Sequence, residues 1–140
     1  MKKTSLKIRR YCAMMIFALV FFVGCSKDKD DTPNSGNGSI DVATGTFKGT
    51  IRIGTTNHFN AILTVSKVDN KQLKIVAKSG EPYSGVTTKT IQVKADVPGL
   101  VDGHDDQGYF AYEIEKKKLT VLTKQTSASD IDYGFEGIKQ

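Results

Sequence analysis

The 140-residue chain has no tryptophan, three prolines, two cysteines and two histidines, and each shortage closes off a class of explanation. Both cysteines fall at or before position 25, so no disulfide staples the rest of the chain and its own core must stabilise it. Without a tryptophan or a later cysteine pair, the immunoglobulin-type sandwich loses its markers. There is no H-E-x-x-H, C-x-x-C, G-x-G-x-x-G, Walker loop or G-x-S-x-G elbow, so the common zinc-protease, redox, nucleotide and serine-hydrolase signatures are missing. Nothing after Cys25 carries a sustained 3.6-residue apolar period, which excludes long amphipathic helices.

A surplus of basic charge is also missing where it would matter. The formal charge of +5 comes from Lys2, Lys3, Lys7, Arg9 and Arg10. Past Cys25, fifteen of the twenty basic residues face all fifteen acidic ones, for a net charge of zero. The high isoelectric point is therefore no argument for nucleic acid or anionic lipid. Lys116-Lys117-Lys118 reads as a charged hairpin turn.

What is present begins with those five cations, followed by an apolar run from Tyr11 to Val23 that stops at Gly24-Cys25. Thirteen apolar residues are fewer than the roughly 20 a spanning helix needs, although an uncleaved anchor is the alternative. No A-x-A-like site precedes Cys25, so cleavage by the general signal peptidase is disfavoured. Phe22-Val23-Gly24-Cys25 resembles the bacterial lipobox, with Phe22 where leucine is preferred. The resemblance implies a thioether-linked diacylglyceryl group on Cys25, removal of residues 1–24 and acylation of the new amino terminus. Three chains on one residue anchor a protein far more firmly than one, each buried CH₂ contributing about 0.8 kcal/mol. Asp28, Asp30 and Asp31 look like the acidic surface-export signal of Bacteroidota lipoproteins. The expectation is a lipid-anchored outer-membrane protein exposed at the cell surface, or alternatively facing the periplasm.

Residues 25–43 read as the lipidated cysteine and a flexible tether, with charged Lys27 to Asp31 leading into Thr32-Pro33-Asn34-Ser35-Gly36-Asn37-Gly38-Ser39. From residue 44 to 140 the period becomes two. Phe47, Ile51 and Ile53 share one face of a first strand. Phe59, Ala61, Leu63 and Val65 alternate with His58, Asn60 and Ile62 in a second, and Leu73, Ile75 and Ala77 mark a third. Residues 79–88 read as a loop with room for one short edge strand. Ile91, Val93, Ala95 and Val97 mark the next strand, which Pro98-Gly99 stops in type II order. Phe110, Tyr112 and Ile114, then Leu119, Val121 and Thr123, then Tyr133 to Ile138 complete seven clear strands, or eight.

That count predicts an all-β fold, an antiparallel seven- to eight-stranded meander barrel, with a β-sandwich as the alternative. Phe47-Lys48-Gly49 and Phe135-Glu136-Gly137 are similar patterns at opposite ends, and predict that the first and last strands pair. The opening Gly45-Thr46-Phe47-Lys48-Gly49-Thr50-Ile51 and the close Tyr133-Gly134-Phe135-Glu136-Gly137-Ile138-Lys139 resemble small calycin-like or lipocalin-like lipoproteins of Bacteroidota. The resemblance implies a barrel and supplies no catalytic residues.

Asp102, His104, Asp105 and Asp106 are the densest set of candidate metal ligands, with Glu113 at the twelfth position counted from Asp102. That spacing suits a calcium loop, but Gln107 stands where glycine is needed and strands flank it. The simpler reading is a polar turn. Glu113 and Glu115 on one strand face would stand about 6.5–7 Å apart, within reach of inverting glycosidases, although solvated glutamates opposite lysines are the plainer reading. His58 reads as an exposed strand residue and Tyr109 as pointing outward, where it can stack on sugar or peptide. The expected function is non-enzymatic, without cofactor: a monomeric module for a small apolar ligand or a glycan. A docking subunit of an envelope complex, or an enzyme inhibitor using residues 79–88 or 99–108, is the alternative.

Overall fold

The computed structural model describes residues 38–140. The signal peptide expected at residues 1–24, the lipidation expected at Cys25 and the part of the expected 25–43 tether before residue 38 lie outside the described residues. A short 3₁₀ helix, Ile40–Ala43, precedes nine strands: β1 Gly45–Ile53, β2 Thr56–Lys67, β3 Gln72–Ala77, β4 Lys89–Gln92, β5 Lys94–Val97, β6 Leu100–Asp105, β7 Gly108–Glu113, β8 Lys118–Thr123 and β9 Gly134–Lys139. They form one antiparallel sheet in the order β4-β3-β2-β1-β9-β8-β7-β6-β5, rolled into a nearly closed barrel.

First and last strands pair as their sequence likeness predicts. Phe47 lies opposite Lys139, Gly49 opposite Gly137 and Ile51 opposite Phe135. A methyl group on Gly49 would collide with the carbonyl oxygen of Glu136, and one on Gly137 would stand 2.7 Å from that of Lys48. Only glycine lets the two backbones approach this closely.

The strand count of nine is slightly higher than the seven to eight the sequence suggests, for two reasons. First, the run from Ile91 to Val97 bends at Val93, whose N–H still bonds the carbonyl of Lys71 on the β3 side at 2.8 Å. One arm, β4, pairs with β3, while the other, β5, pairs with β6. The bent run thereby joins the two ends of the sheet. Second, Leu100–Asp105 is a strand where a polar turn was expected. Its outward side chains are Leu100, Asp102 and His104, and its inward row contains Val101 and then Gly103. At Gly103 the backbone of the β4–β5 corner takes the place of a side chain: an added methyl would collide with the Gln92 carbonyl and stand 2.8 Å from the Val93 Cα. Residues 79–88 hold turns and no strand.

One bulge reverses part of the expected alternation in β2. Gly49 pairs with Ala61 and Thr50 with Phe59, leaving Asn60 as the extra residue. Asn60 adopts φ +59°, a left-handed conformation that asparagine tolerates better than most residues. Beyond the bulge the faces exchange. Phe59, expected in the core, is 72% exposed, while His58, expected outside, is half-buried 6.0 Å from the ring of Tyr83. Tyr83 in turn accepts the N–H of Ile62 at 2.9 Å and ties residues 79–88 down onto β2.

Inside, Phe47, Ile51, Leu63, Phe110, Leu119 and Val121 expose no surface to a water molecule, and Phe47 meets Tyr112 edge-on at 5.6 Å. Each such burial contributes about 1.5–3 kcal/mol. A barrel of about eight strands is just wide enough for its own side chains, and this one is filled by them. Ile40 and Ala43 of the 3₁₀ helix join that core at one end, so the packed body takes in residues that composition assigns to the tether. Tyr83, Val86 and Tyr133 join it from loops at the other. The pattern is apolar inside and polar outside, the reverse of barrels that span membranes.

The corner contact makes Gly103 the most sensitive glycine of the seam. Gly103→Ala is expected to lower the melting temperature of the full chain by well over 10 °C or to prevent folding. Gly85→Ala, whose methyl would meet only Ile131 Cδ1 at 3.9 Å, is expected to be nearly silent. Thermal melts followed by circular dichroism make the comparison.

Candidate functional site

A filled interior leaves the outer surface for binding. Where β4 turns into β5, the β2–β3 turn, the corner and the outer row of β6 enclose an open groove of about 810 Å³. Its walls carry Ser39, Lys67, Asn70, Lys71, Gln92, Lys94, Asp96, Asp102 and His104, over a floor that includes Val93 and Gly103. Volumes of 300–1,000 Å³ are usual for small-molecule sites. Charges in the groove largely cancel. Lys67 pairs with Asp41 at 2.8 Å and Lys94 with Asp96 at 2.9 Å. The hydrogen bond from Lys67 holds Asp41 below its ordinary pKa, and that from Lys94 does the same for Asp96. Lys71 and Asp102 then offset one another. Asp102 Oδ1 is enclosed at the wall without a donor, although Lys94 is its cross-strand neighbour.

The four candidate metal ligands do not converge. Asp102 and His104 project from the outer face of β6 into the groove. Asp105 ends the strand, and both its oxygens serve the backbone: Oδ2 accepts from the N–H of Gln92 and Oδ1 from that of Gln107, each at 2.8 Å. Asp106 sits exposed in the following turn. Among the described residues no group of three or more His, Cys, Asp or Glu side chains is placed to hold a metal ion. The Asp102-Gly103-His104-Asp105 run therefore clasps the barrel seam with Gly103 and Asp105, and turns only Asp102 and His104 outward. Glu113 and Glu115 do not share a strand face. β7 stops at Glu113, which is engaged by Lys116, and Glu115 lies in the turn.

Sequence reasoning missed one polar site altogether. Lys89 opens β4 with its side chain inside the barrel mouth, fully buried. Its ammonium donates to Asp130 Oδ2 at 2.7 Å and Thr126 Oγ1 at 3.2 Å. Asp130 also accepts from the Thr126 N–H at 2.9 Å and from Ser127 Oγ at 2.8 Å. Lys89 first, then these donors, holds its carboxyl far below the usual range. The loop is pinned further by the Ile131 N–H donating to Thr87 Oγ1 at 2.9 Å, and by that of Tyr133 donating to Thr123 Oγ1 at 2.7 Å. Burial raises the Tyr133 phenol pKa. The available signal was parity: Lys89 falls two residues before Ile91, on the same inward face. Its partner lies 41 residues away and carries no signal in sequence.

On the outer face, His104 lies directly across from Tyr109, and Tyr109 from Leu122. Tyr109 is 40% exposed, pointing outward as its strand parity predicts. Beside it, a second hollow of about 580 Å³ is lined by Val97, Leu100, Tyr109, Ala111 and Glu113 among others. Loop 79–88 does not stand free, since Tyr83 and Val86 are buried, and most of 99–108 is the strand β6. The nearly closed all-β barrel is compatible with a calycin-like fold. No family model, curated protein or solved structure matches this chain.

The Lys89–Asp130 pair sets an expected order of stability. Asp130→Ala leaves a buried ammonium without its counter-charge and is expected to be strongly destabilising, whereas the double variant Lys89→Met with Asp130→Ala removes both charges and is expected to recover most of that loss. Because the Asp130 pKa is depressed on folding, its contribution is present above about pH 4 and fades as the pH falls toward the folded-state value. Asp130→Asn is therefore expected to flatten the acid limb of stability below about pH 4, measured by urea titrations across pH.

Proposed function

We propose that this protein is a lipid-anchored, non-enzymatic binding module of the bacterial cell envelope that holds a glycan on the outside of its barrel. The observation that carries this reading is the charge-balanced groove at the seam of a barrel whose interior is full. Asn70, Gln92, Lys71, Asp102 and His104 offer donors and acceptors of both kinds with no excess of either sign. That suits a neutral, hydroxyl-rich ligand better than a phosphate, a metal ion or an apolar molecule. Anchoring rests on the likeness of Phe22-Val23-Gly24-Cys25 to a lipobox, which implies acylation of Cys25. Asp28, Asp30 and Asp31 favour the outer membrane and its external surface, with the periplasmic side as the alternative.

A docking subunit is the second reading, and a specific observation favours it. Phe59, Leu122 and Ile138 are exposed by 72%, 50% and 46% on the outer faces of β2, β8 and β9.

The test is a glycan array probed with the full chain in mild detergent, alongside a chain with Asn70→Ala and Asp102→Ala together. Retention of a neutral glycan by the parent, lost in the double variant, is the expected result. No retained glycan in the presence of a folded chain overturns the reading.

A further inference from the structure

We infer that the ligand of the seam groove is a chain of sugar units, which leaves the groove over His104 and stacks on the ring of Tyr109. The inference rests on the glycan reading above and deepens it. His104 belongs to both places: it lines the groove, and in the β6–β7 ladder it is the direct partner of Tyr109. Neighbouring strands are about 4.8 Å apart, so the path from the β4–β5 corner over β6 to β7 spans about 10 Å. The groove at one end and the second hollow at the other, about 580 Å³, lie on either side of the outer row of β6.

The chemistry changes along this path in the way a saccharide changes from edge to face. At the groove end, hydroxyls meet the side chains of Asn70, Lys71 and Gln92. At the far end, Tyr109 offers an aromatic face with 40% of its surface exposed. Beside it Ala111 lines the same hollow. The carbon-bound hydrogens of a sugar face suit such a ring, while the phenol hydroxyl keeps contact with water. Lys67 and Lys94 are already paired with Asp41 and Asp96, so the path carries no charge excess for an acidic polysaccharide.

The experiment uses the full chain in mild detergent and two ladders of one to five units, β-1,4-linked N-acetylglucosamine and α-1,4-linked glucose. Isothermal titration is run on the parent, Tyr109→Ala and Tyr109→Phe. The expected result is an affinity at least tenfold higher for the three-unit member than for the single sugar in one ladder. Tyr109→Ala should abolish that gain without changing single-sugar affinity, and Tyr109→Phe should keep it. Tyr109 points outward, so the variants are expected to melt within a few degrees of the parent. Binding that does not grow with length, or a gain that survives Tyr109→Ala, overturns the extended path and leaves the glycan reading intact. Displacement of a bound sugar by an extended peptide of unrelated sequence overturns the sugar assignment. Failure of every member of both ladders overturns the inference as well.

Discussion

The contact on which the barrel depends is backbone on backbone: Gln92 and Val93 lie directly over Gly103. A meander of this order leaves two free edges, and free edges recruit other strands. Here the edges are two arms of one bent run, β4 and β5, and the bend is held against β6 from both sides. Gly103 removes the side chain that would keep the backbones apart. Asp105 supplies an acceptor for the Gln92 N–H, which the break in the ladder would otherwise strand. The hydrogen bond lies at the surface, and its charged acceptor makes it stronger than a neutral one, at the place where the ladder is weakest.

Closure of the seam decides where chemistry can occur. With β1 paired to β9 and the corner fixed on β6, the inward side chains fill the lumen, the 3₁₀ helix adds Ile40 and Ala43, and the loops add Tyr83, Val86 and Tyr133. An interior ligand would have to displace core side chains that expose nothing to water. Two features remain for recognition: the groove that the bend itself creates, and the outer face beside it. The bent run thus supplies both the fold's closure and a groove of about 810 Å³.

Much of this was legible in the sequence because a two-residue period is hard to disguise. Phe47, Ile51, Leu63, Leu73, Ile75, Phe110, Leu119, Val121 and Phe135 all point inward as their spacing predicts. The pairing of Gly49 with Gly137 was readable from the repeated Phe-x-Gly pattern. Illegible features come from contacts between residues distant in the chain or from local strand geometry that composition does not show. β6 hid because its inward position is a glycine that receives another strand's backbone, so polar residues dominate its composition. Asn60 reversed the faces at Phe59 and His58, and a bulge of one residue leaves no trace in composition. The Asp102–Asp106 cluster looked like one site because its members are adjacent; on a strand their side chains alternate, and they divide between seam and groove. Lys89 and Asp130 are joined only by the fold.

Amide hydrogen exchange at Gln92, read by NMR on the full chain, tests the closed seam most directly. The N–H of Gln92 has no strand partner beyond the corner and is held by Asp105 alone. The account expects it to exchange as slowly as the amides of the central strands β1 and β9, because opening there would require unfolding the barrel. Exchange as fast as an exposed turn such as Thr55 would mean that the corner is not clasped, and the closed barrel, its filled interior and the seam groove would fall together.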